Sequence, residues 1–567
     1  MISRTALMLV LLAALAPAGR AQQADLANLL TTAESSNFQS TSTHDDVVRF
    51  MRAVADASPL VHYTTYGTTY EGREMPLAVV GTGLADASAA SVLATGRLRV
   101  HLQGNIHAGE VEGKEAAQIL IREIARGQHA DWLASMVLLV TPIYNADGNE
   151  RMELTNRGTQ NGPINGMGTR ATAQGINLNR DYTKLEAPES RAFTQLWNDY
   201  DPHVGMDLHT SNGTTHAYHL TYSPPLHPNT SDQVMNIMKG EWFPTITSRV
   251  KERHGWDMFY YGNAGRVGGG GRGGGRGGGR AGRGGGGRGG GRGGVIQDTV
   301  GAQPQGNVPR AWGTFEHVPR FHNNYVGLRN RFALLSEAYS YATFKDRIVA
   351  TGYFMEEALT FAHEHAARLA AAVAAADEEP IVGRAMATRA AMTTGGMIDI
   401  LMGDVEEVTN PNNGASMRQR VDVSRVEPML DRLWFAPTWH ERVPARYFVP
   451  AAATAALDTL RAHGIQLTEV TAPVQGAEEF VITSNETRAA RTGSIDFQNH
   501  ELRTLEGYWR PASSPVPAGA FAVEMDQKLA RLAFILLAPT SDDGLLTWNF
   551  LDGLLRDGQP YPIARQR

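Results

Sequence analysis

Gly104-Asn105-Ile106-His107-Ala108-Gly109-Glu110 is the stretch whose reading decides the fold. The run before it, 97–103, alternates in the manner of a strand, and the run after it, 114–124, has helical spacing. The stretch is therefore a strand exit, a tight turn and a helix start. In such a turn His107 and Glu110, three residues apart, face the same side. An imidazole and a carboxylate so placed are two members of a His₂Glu metal site, which needs a third ligand from elsewhere and one open position. The same pair also suits a surface histidine beside a glutamate that complements a helix N-terminus. Residues further along the chain weigh between the two.

Outward from this stretch, strands and helices alternate. Residues 61–66 and 75–80 read as strands around the turn Tyr70-Glu71-Gly72-Arg73. Residues 137–141 form a short buried strand that runs into Asn145-Ala146-Asp147-Gly148, a turn by composition. Residues 155–175 are rich in Gly, Asn and Thr and read as a loop. The loop holds Arg157 and leads to Asn177-Leu178-Asn179-Arg180. A helix opens on Pro188, and 203–209 is a strand ending on His209. This order predicts an α/β fold, a mixed, largely parallel twisted sheet flanked by helices. In such sheets ligands gather at the carboxyl ends of strands, and His107, Asn145 and His209 all follow strands at that end.

The chain has 567 residues, enough for two or more domains, with 42% hydrophobic and 19% charged residues and a net charge of −6. Nothing in this balance points to nucleic acid. With no cysteine there is neither disulfide nor thiolate ligand, so a metal must sit on histidines and carboxylates. Residues 1–21 read as a secretory signal, with Arg4 ahead of an apolar run too short to span a bilayer and small residues after it. No later stretch reads as a membrane span, so the expectation is an exported, soluble protein. Residues 22–378 are expected to form one domain, the one that holds the turn at 104–110. It is interrupted at 266–294 by a run nearly all Gly with seven arginines, expected to be disordered. That run also suits a polycationic arm for anionic polymers and, less well without interleaved aromatics, RNA binding. Residues 385–567 carry short strand signals, such as 446–450 and 480–483, and a few helices. They are expected to form an α+β accessory domain without a metal or nucleophile constellation.

Six pieces in order over roughly residues 45–345 resemble the zinc carboxypeptidase family, the carboxypeptidase A-like metallopeptidases. They are Tyr70-Glu-Gly-Arg73, His107-Ala-Gly-Glu110, Asn145-Ala-Asp-Gly148, Asn179-Arg180, Asp207-Leu-His209 and Leu334-Leu-Ser-Glu337. The resemblance implies one zinc per chain on His107, Glu110 and His209. It implies Glu337 as general base and proton shuttle, and Asn179 with Arg180 as the grip on a substrate's free carboxylate. Arg157 is the expected partner of the scissile carbonyl, with Arg151 and Arg170 as rivals, and Tyr325 the expected active-site tyrosine. The chemistry suits these roles. A general base must accept a proton from water and pass it to the leaving amine, and a guanidinium meets a carboxylate with two parallel hydrogen bonds.

There are departures. Ala146 stands where the family has Pro. Asn177 stands where it has an Asp that accepts the N–H of a ligand histidine, so the amide brings no charge to that bond. The implied function is an exported zinc metallopeptidase that removes C-terminal residues from peptides bearing a free carboxylate. Two other readings share these residues: a zinc amidase or deacylase acting on cell-wall peptides or other amides, and a non-catalytic binding protein on the same fold.

Overall fold

A computed structural model describes residues 26–211, 213–266, 309–487 and 497–567. The expected signal at 1–21 and residues 267–294 of the Gly/Arg-rich run lie outside the described residues. Strands buried on both faces take the middle of a sheet covered on both sides. Three strands here are buried along their whole length: β3 (Leu98–Gly104), β4 (Met136–Thr141) and β5 (Val204–Thr210). They are flanked by β1 (Val61–Thr68) and β2 (Glu74–Val80) on one side. On the other lie β10 (Phe332–Ala338), β6 (Leu220–Ser223) and β7 (Met258–Tyr260). The order is β1-β2-β4-β3-β5-β10-β6-β7. The centre, β4-β3-β5-β10, is parallel, and antiparallel pairs stand on either side of it.

Helices cover both faces. Thr43 caps the helix His44–Ala57 in a capping box with Asp46, and Val47, Phe50, Met51 and Val54 fall on its buried stripe. Each such side chain stabilises by about 1.5–3 kcal/mol on leaving water. The helices Glu112–Ala125, Phe243–His254 and Phe344–Glu364 join the same apolar cluster. A break at His365 separates the helix Phe344–Glu364 from the helix Ala366–Glu378. On the opposite face lie the helices Pro188–Tyr200 and His322–Leu328.

The C-terminal region is wired into this body. β8 (Asn263–Arg266) and β9 (Arg310–Gly313) bracket the Gly/Arg-rich run as an antiparallel pair, and β9 is joined by β13 (Ser416–Arg432), which pairs with β12 (Met397–Thr409). β11 (Ala385–Met392) pairs with β14 (Phe435–Arg442). A six-stranded sheet completes the chain, in the order β16-β19-β15-β20-β17-β18. Its strands are β15 (Arg446–Val449), β16 (Thr468–Glu469), β17 (Glu478–Thr487), β18 (Arg503–Pro511), β19 (Phe521–Glu524) and β20 (Ala564–Gln566). One apolar cluster runs through both regions. Phe193, Trp197 and Tyr325 from the first pack in it with Leu457, Phe480, Leu532 and Ile563 from the second. The regions read as separate along the sequence thus share a sheet and a core.

Candidate active site

The turn at 104–110 folds as its composition dictates. Asn105 takes the left-handed conformation, at φ 65°, that turns the chain out of β3. Gly113 lets the following helix lie directly on β5, since a Cβ there would come within 2.5 Å of Leu208 Cβ. The turn then presents His107 and Glu110 beside His209 at the end of β5. Their ligand atoms all lie within 4.8 Å of one another, and all three residues are buried. His107 Nδ1 is 3.0 Å from Glu110 Oε1, and His209 Nδ1 is 2.9 Å from Glu110 Oε2.

The outer nitrogens of both imidazoles are occupied. His209 Nε2 meets Asp207 Oδ2 at 2.7 Å, and His107 Nε2 meets Asn177 Oδ1 at 3.1 Å. These contacts fix the tautomers so that both Nδ1 atoms face inward. Burial holds the His107 imidazole down at about 3, so it is neutral. Against burial, the neighbouring His107 and Arg157 hold the Glu110 carboxyl well below its usual range. Two inward nitrogens and an ionised carboxylate are the donor set of a His₂Glu zinc site, so the residues present fit zinc.

Glu337 stands in register with His209 across the parallel pair β10-β5, on the same face of the sheet. Burial pushes its carboxyl up to about 8, with Glu110 adding to the rise and His209, Arg170 and Arg157 opposing it. Arg157 and Arg170 both approach Glu110 Oε1, at 2.8 and 3.6 Å. They differ in what else they do. Arg157 is tied down through Nε to Gln160 Oε1 at 3.2 Å. Arg170 is about a third exposed, and the charges of Glu110 and Glu337 both reach it. Of the two, Arg170 is the more exposed, at 36% of its side chain against 23% for Arg157. Arg151 pairs instead with Glu71.

Asn179 Oδ1 accepts the backbone N–H of His322, which fixes the turn at 178–180. Arg180 lies over the ring of Phe321 at 3.8 Å, and burial lowers its guanidinium to about 9. Tyr325 is not brought to this group. It is fully buried, with its hydroxyl 2.9 Å from His463 Nδ1 in the C-terminal region. The helix Phe321 leads into points its residue 325 away from the cleft and into the shared core. Tyr261, just after β7, is the tyrosine whose hydroxyl feels Glu337, Glu110 and Arg170, and it accepts from Asn263 Nδ2 at 3.3 Å. His216 and His219 are packing residues, their rings 4.2 Å from Tyr339 and 4.3 Å from Trp256.

The remaining motif pieces brace the site. Asp147 accepts from Thr69 Oγ1 at 2.6 Å, from the Glu71 N–H at 2.9 Å and from Arg73 at 2.7 Å, joining the Tyr70–Arg73 turn to Asn145–Gly148. Asn145 Nδ2 donates to Ile106 O and Arg170 O at 3.4 and 3.3 Å, so one amide links the metal turn to the arginine loop.

Comparison with known proteins gives the same reading. Residues 47–237 match the family model described as "Zinc carboxypeptidase". "Carboxypeptidase 2" of Trichophyton rubrum is 29% identical over 171 residues, 30% of this chain and 28% of that protein. "Carboxypeptidase 2" of Trichophyton equinum is 28% identical over 171 residues, again 30% and 28%. The alignment thus spans less than a third of these relatives. Among solved structures, carboxypeptidase A from Helicoverpa armigera has 15% identity and a TM-score of 0.39 over 63% of this chain and 82% of that one. A metallo-carboxypeptidase from Burkholderia cenocepacia has 14% identity and a TM-score of 0.38 over 57% and 70%. The match to the zinc carboxypeptidase model covers about a third of this chain, and the matched residues include His107, Glu110, Asn179, Arg180 and His209.

Proposed function

We propose that this protein is an exported zinc metallopeptidase that removes C-terminal residues from peptides with a free carboxylate. The observation that carries the hydrolytic reading is the placement of Glu337 in register with His209, against the three-residue metal cluster. A pure binding site has no use for an ionisable carboxyl raised toward neutrality at that position.

Zinc held by His107, Glu110 and His209 would supply Lewis-acid polarisation and an acidified water. Glu337 would accept a proton from the attacking water and pass it to the leaving amine, a task for which a carboxyl near neutrality is suited. Arg170, the more exposed arginine beside Glu110, donates to the carbonyl oxygen as negative charge gathers on it. Arg180, held flat on Phe321, pairs with the terminal carboxylate, and Asn179 fixes the turn that presents it. Tyr261, whose hydroxyl feels the charge of Glu337, is the tyrosine nearest in influence to this base.

Export rests on the sequence of residues 1–21. Among the described residues no helix is long and apolar enough to cross a membrane. The reading is tested by hydrolysis of matched peptides with free and amidated C-termini, with and without chelator. Chelator-sensitive cleavage of the free peptide alone supports it. Equal cleavage of both would replace it with the amidase or endopeptidase reading.

A further inference from the structure

The β12–β13 hairpin has two halves. In the inner half Gly403 faces Ser424, and in the outer half Val405 faces Arg420, so the ladder shifts between them. The inner half belongs to the sheet with β9 and β8. The outer half leaves that sheet and lies on the loops after the catalytic strands. The Arg418 N–H donates to Thr159 O at 3.2 Å, and Asn161 Nδ2 donates to Gln419 Oε1 at 3.2 Å. The Arg420 N–H donates to Tyr341 O at 2.7 Å, four residues after Glu337, and Arg420 Nη2 donates to Ala217 O at 3.2 Å, in the loop after His209.

One of these loops holds a strained residue. Arg157 has φ 56°, a left-handed conformation that costs a non-glycine residue free energy and persists only where its surroundings fix it. Its side chain spans the gap from that turn to the metal cluster. Nη2 donates to Glu110 Oε1 at 2.8 Å, while the other carboxylate oxygen accepts the Thr210 N–H at 3.1 Å. The stem packs where a Cβ on Gly109 would come within 2.7 Å of Arg157 Cγ. Gln160 closes the turn, its N–H on Arg157 O at 2.8 Å and its amide on Gly109 O at 3.3 Å. The hairpin holds residues 159 and 161 on either side of Gln160, and its tip also holds Leu154 O, Ile164 O and Asn165 Oδ1 through the amides of Asn413, Asn410 and Asn412.

Resting on the metallopeptidase reading, we propose that the outer half of the C-terminal hairpin is a positioning element for the metal site. Through Thr159 and Asn161 it holds Arg157 in its left-handed turn, and Arg157 fixes the carboxylate of Glu110. Arg157, Arg418 and Gln419 are positioning residues, and Arg170 is left to face the substrate. This gives a role to a region that the family match, residues 47–237, does not reach.

The test uses the full chain loaded with zinc. One variant replaces 404–423 with Asn-Gly, joining the facing residues Gly403 and Ser424 through a two-residue hairpin turn. A milder variant is Arg418→Pro with Gln419→Ala. The Arg418 N–H points away from β12 to Thr159, where a proline is tolerated. Each is compared with Arg157→Ala and combined with it. Zinc release to a chelator and kcat with KM for a short free peptide are the readouts. Loss of a partner of a metal ligand costs about tenfold or more in metal affinity or activity. The expected result is about tenfold faster zinc release and about tenfold lower kcat in each variant, with KM within about twofold and no further loss in the combinations. Unchanged release and kcat in a folded hairpin variant overturns the proposal. So do losses that multiply when the changes are combined, or a gain on longer substrates alone, which would make the hairpin a wall of the cleft. If the larger replacement fails to fold, the milder variant decides by the same criteria. Zinc release needs no substrate, so its outcome is separable from that of the peptidase reading, which falls if the parent protein binds no zinc.

Discussion

Asp207 and His209 share one face of β5, and Asp207 Oδ2 lies 2.7 Å from His209 Nε2. The carboxylate both orients the ring and raises its basicity as a ligand. Removing the ring itself, His209→Ala, should abolish stoichiometric zinc. Asp207→Asn should keep the zinc but weaken it about tenfold. Asn177→Asp, which puts a charge on the corresponding bond to His107, should strengthen zinc binding. Chelator competition on the three variants measures all of this, and full zinc in His209→Ala would remove the assignment.

Glu337→Gln should retain zinc and peptide affinity and lose turnover by about 10²–10⁴-fold, the usual worth of general acid–base catalysis. Glutamine preserves shape and an acceptor but takes no proton. Single-turnover rates with zinc content measured in parallel separate this from metal loss. Turnover within a few-fold of the parent would exclude Glu337 as the base.

Arg170→Ala should lower kcat by about 10²–10³-fold with a smaller change in KM, as expected for a donor aimed at charge that develops in the transition state. Arg157→Ala should instead speed zinc release. Steady-state kinetics and chelator exchange on both variants distinguish the two, and a reversal of the pattern would return the carbonyl role to Arg157.

Arg180→Ala should cut cleavage of free peptides to the level the native enzyme shows on amidated ones, and amidation should then add little. Zinc content should not move. A native enzyme indifferent to amidation would show that Arg180 does not hold a terminal carboxylate.

Arg266 and Arg310 are paired across β8 and β9, so the residues between them can be replaced with Asn-Gly. The shortened chain should bind one zinc and unfold in a single cooperative transition at nearly the parent's temperature. Calorimetry that shows a lost or broadened transition would assign the run a structural part.

The central sheet was legible because its signals are local. The run 136–141 is apolar on both faces, Gly and Asn mark the turns, and His107 and His209 stand at the carboxyl ends of strand-like runs. The long hairpin was not. Most of β13 is exposed or half-buried, so it shows no alternation, and its partners are loop carbonyls, which leave no mark on sequence. The mistaken tyrosine has a similar cause. Tyr325 sits in a short buried helix whose environment is set by His463, 138 residues away, whereas Tyr261 is masked by the Gly/Arg-rich run just beyond it. The choice between Arg157 and Arg170 turned on which guanidinium was already held, something only Gln160 and Glu110 in place can show.

The last strand, β20, lies between β15 and β17 inside the six-stranded sheet, and Ile563 just ahead of it belongs to the core shared with Phe193 and Trp197. During synthesis this shared core is therefore incomplete until β20 has left the ribosome. At roughly 5–20 residues per second, the more than two hundred residues after β10 take on the order of tens of seconds to appear. For that interval the nascent chain carries a broad apolar surface with no partner of its own. Its yield should thus depend on holding chaperones, and on the arrival of β20, a strand remote from the metal cluster in the chain.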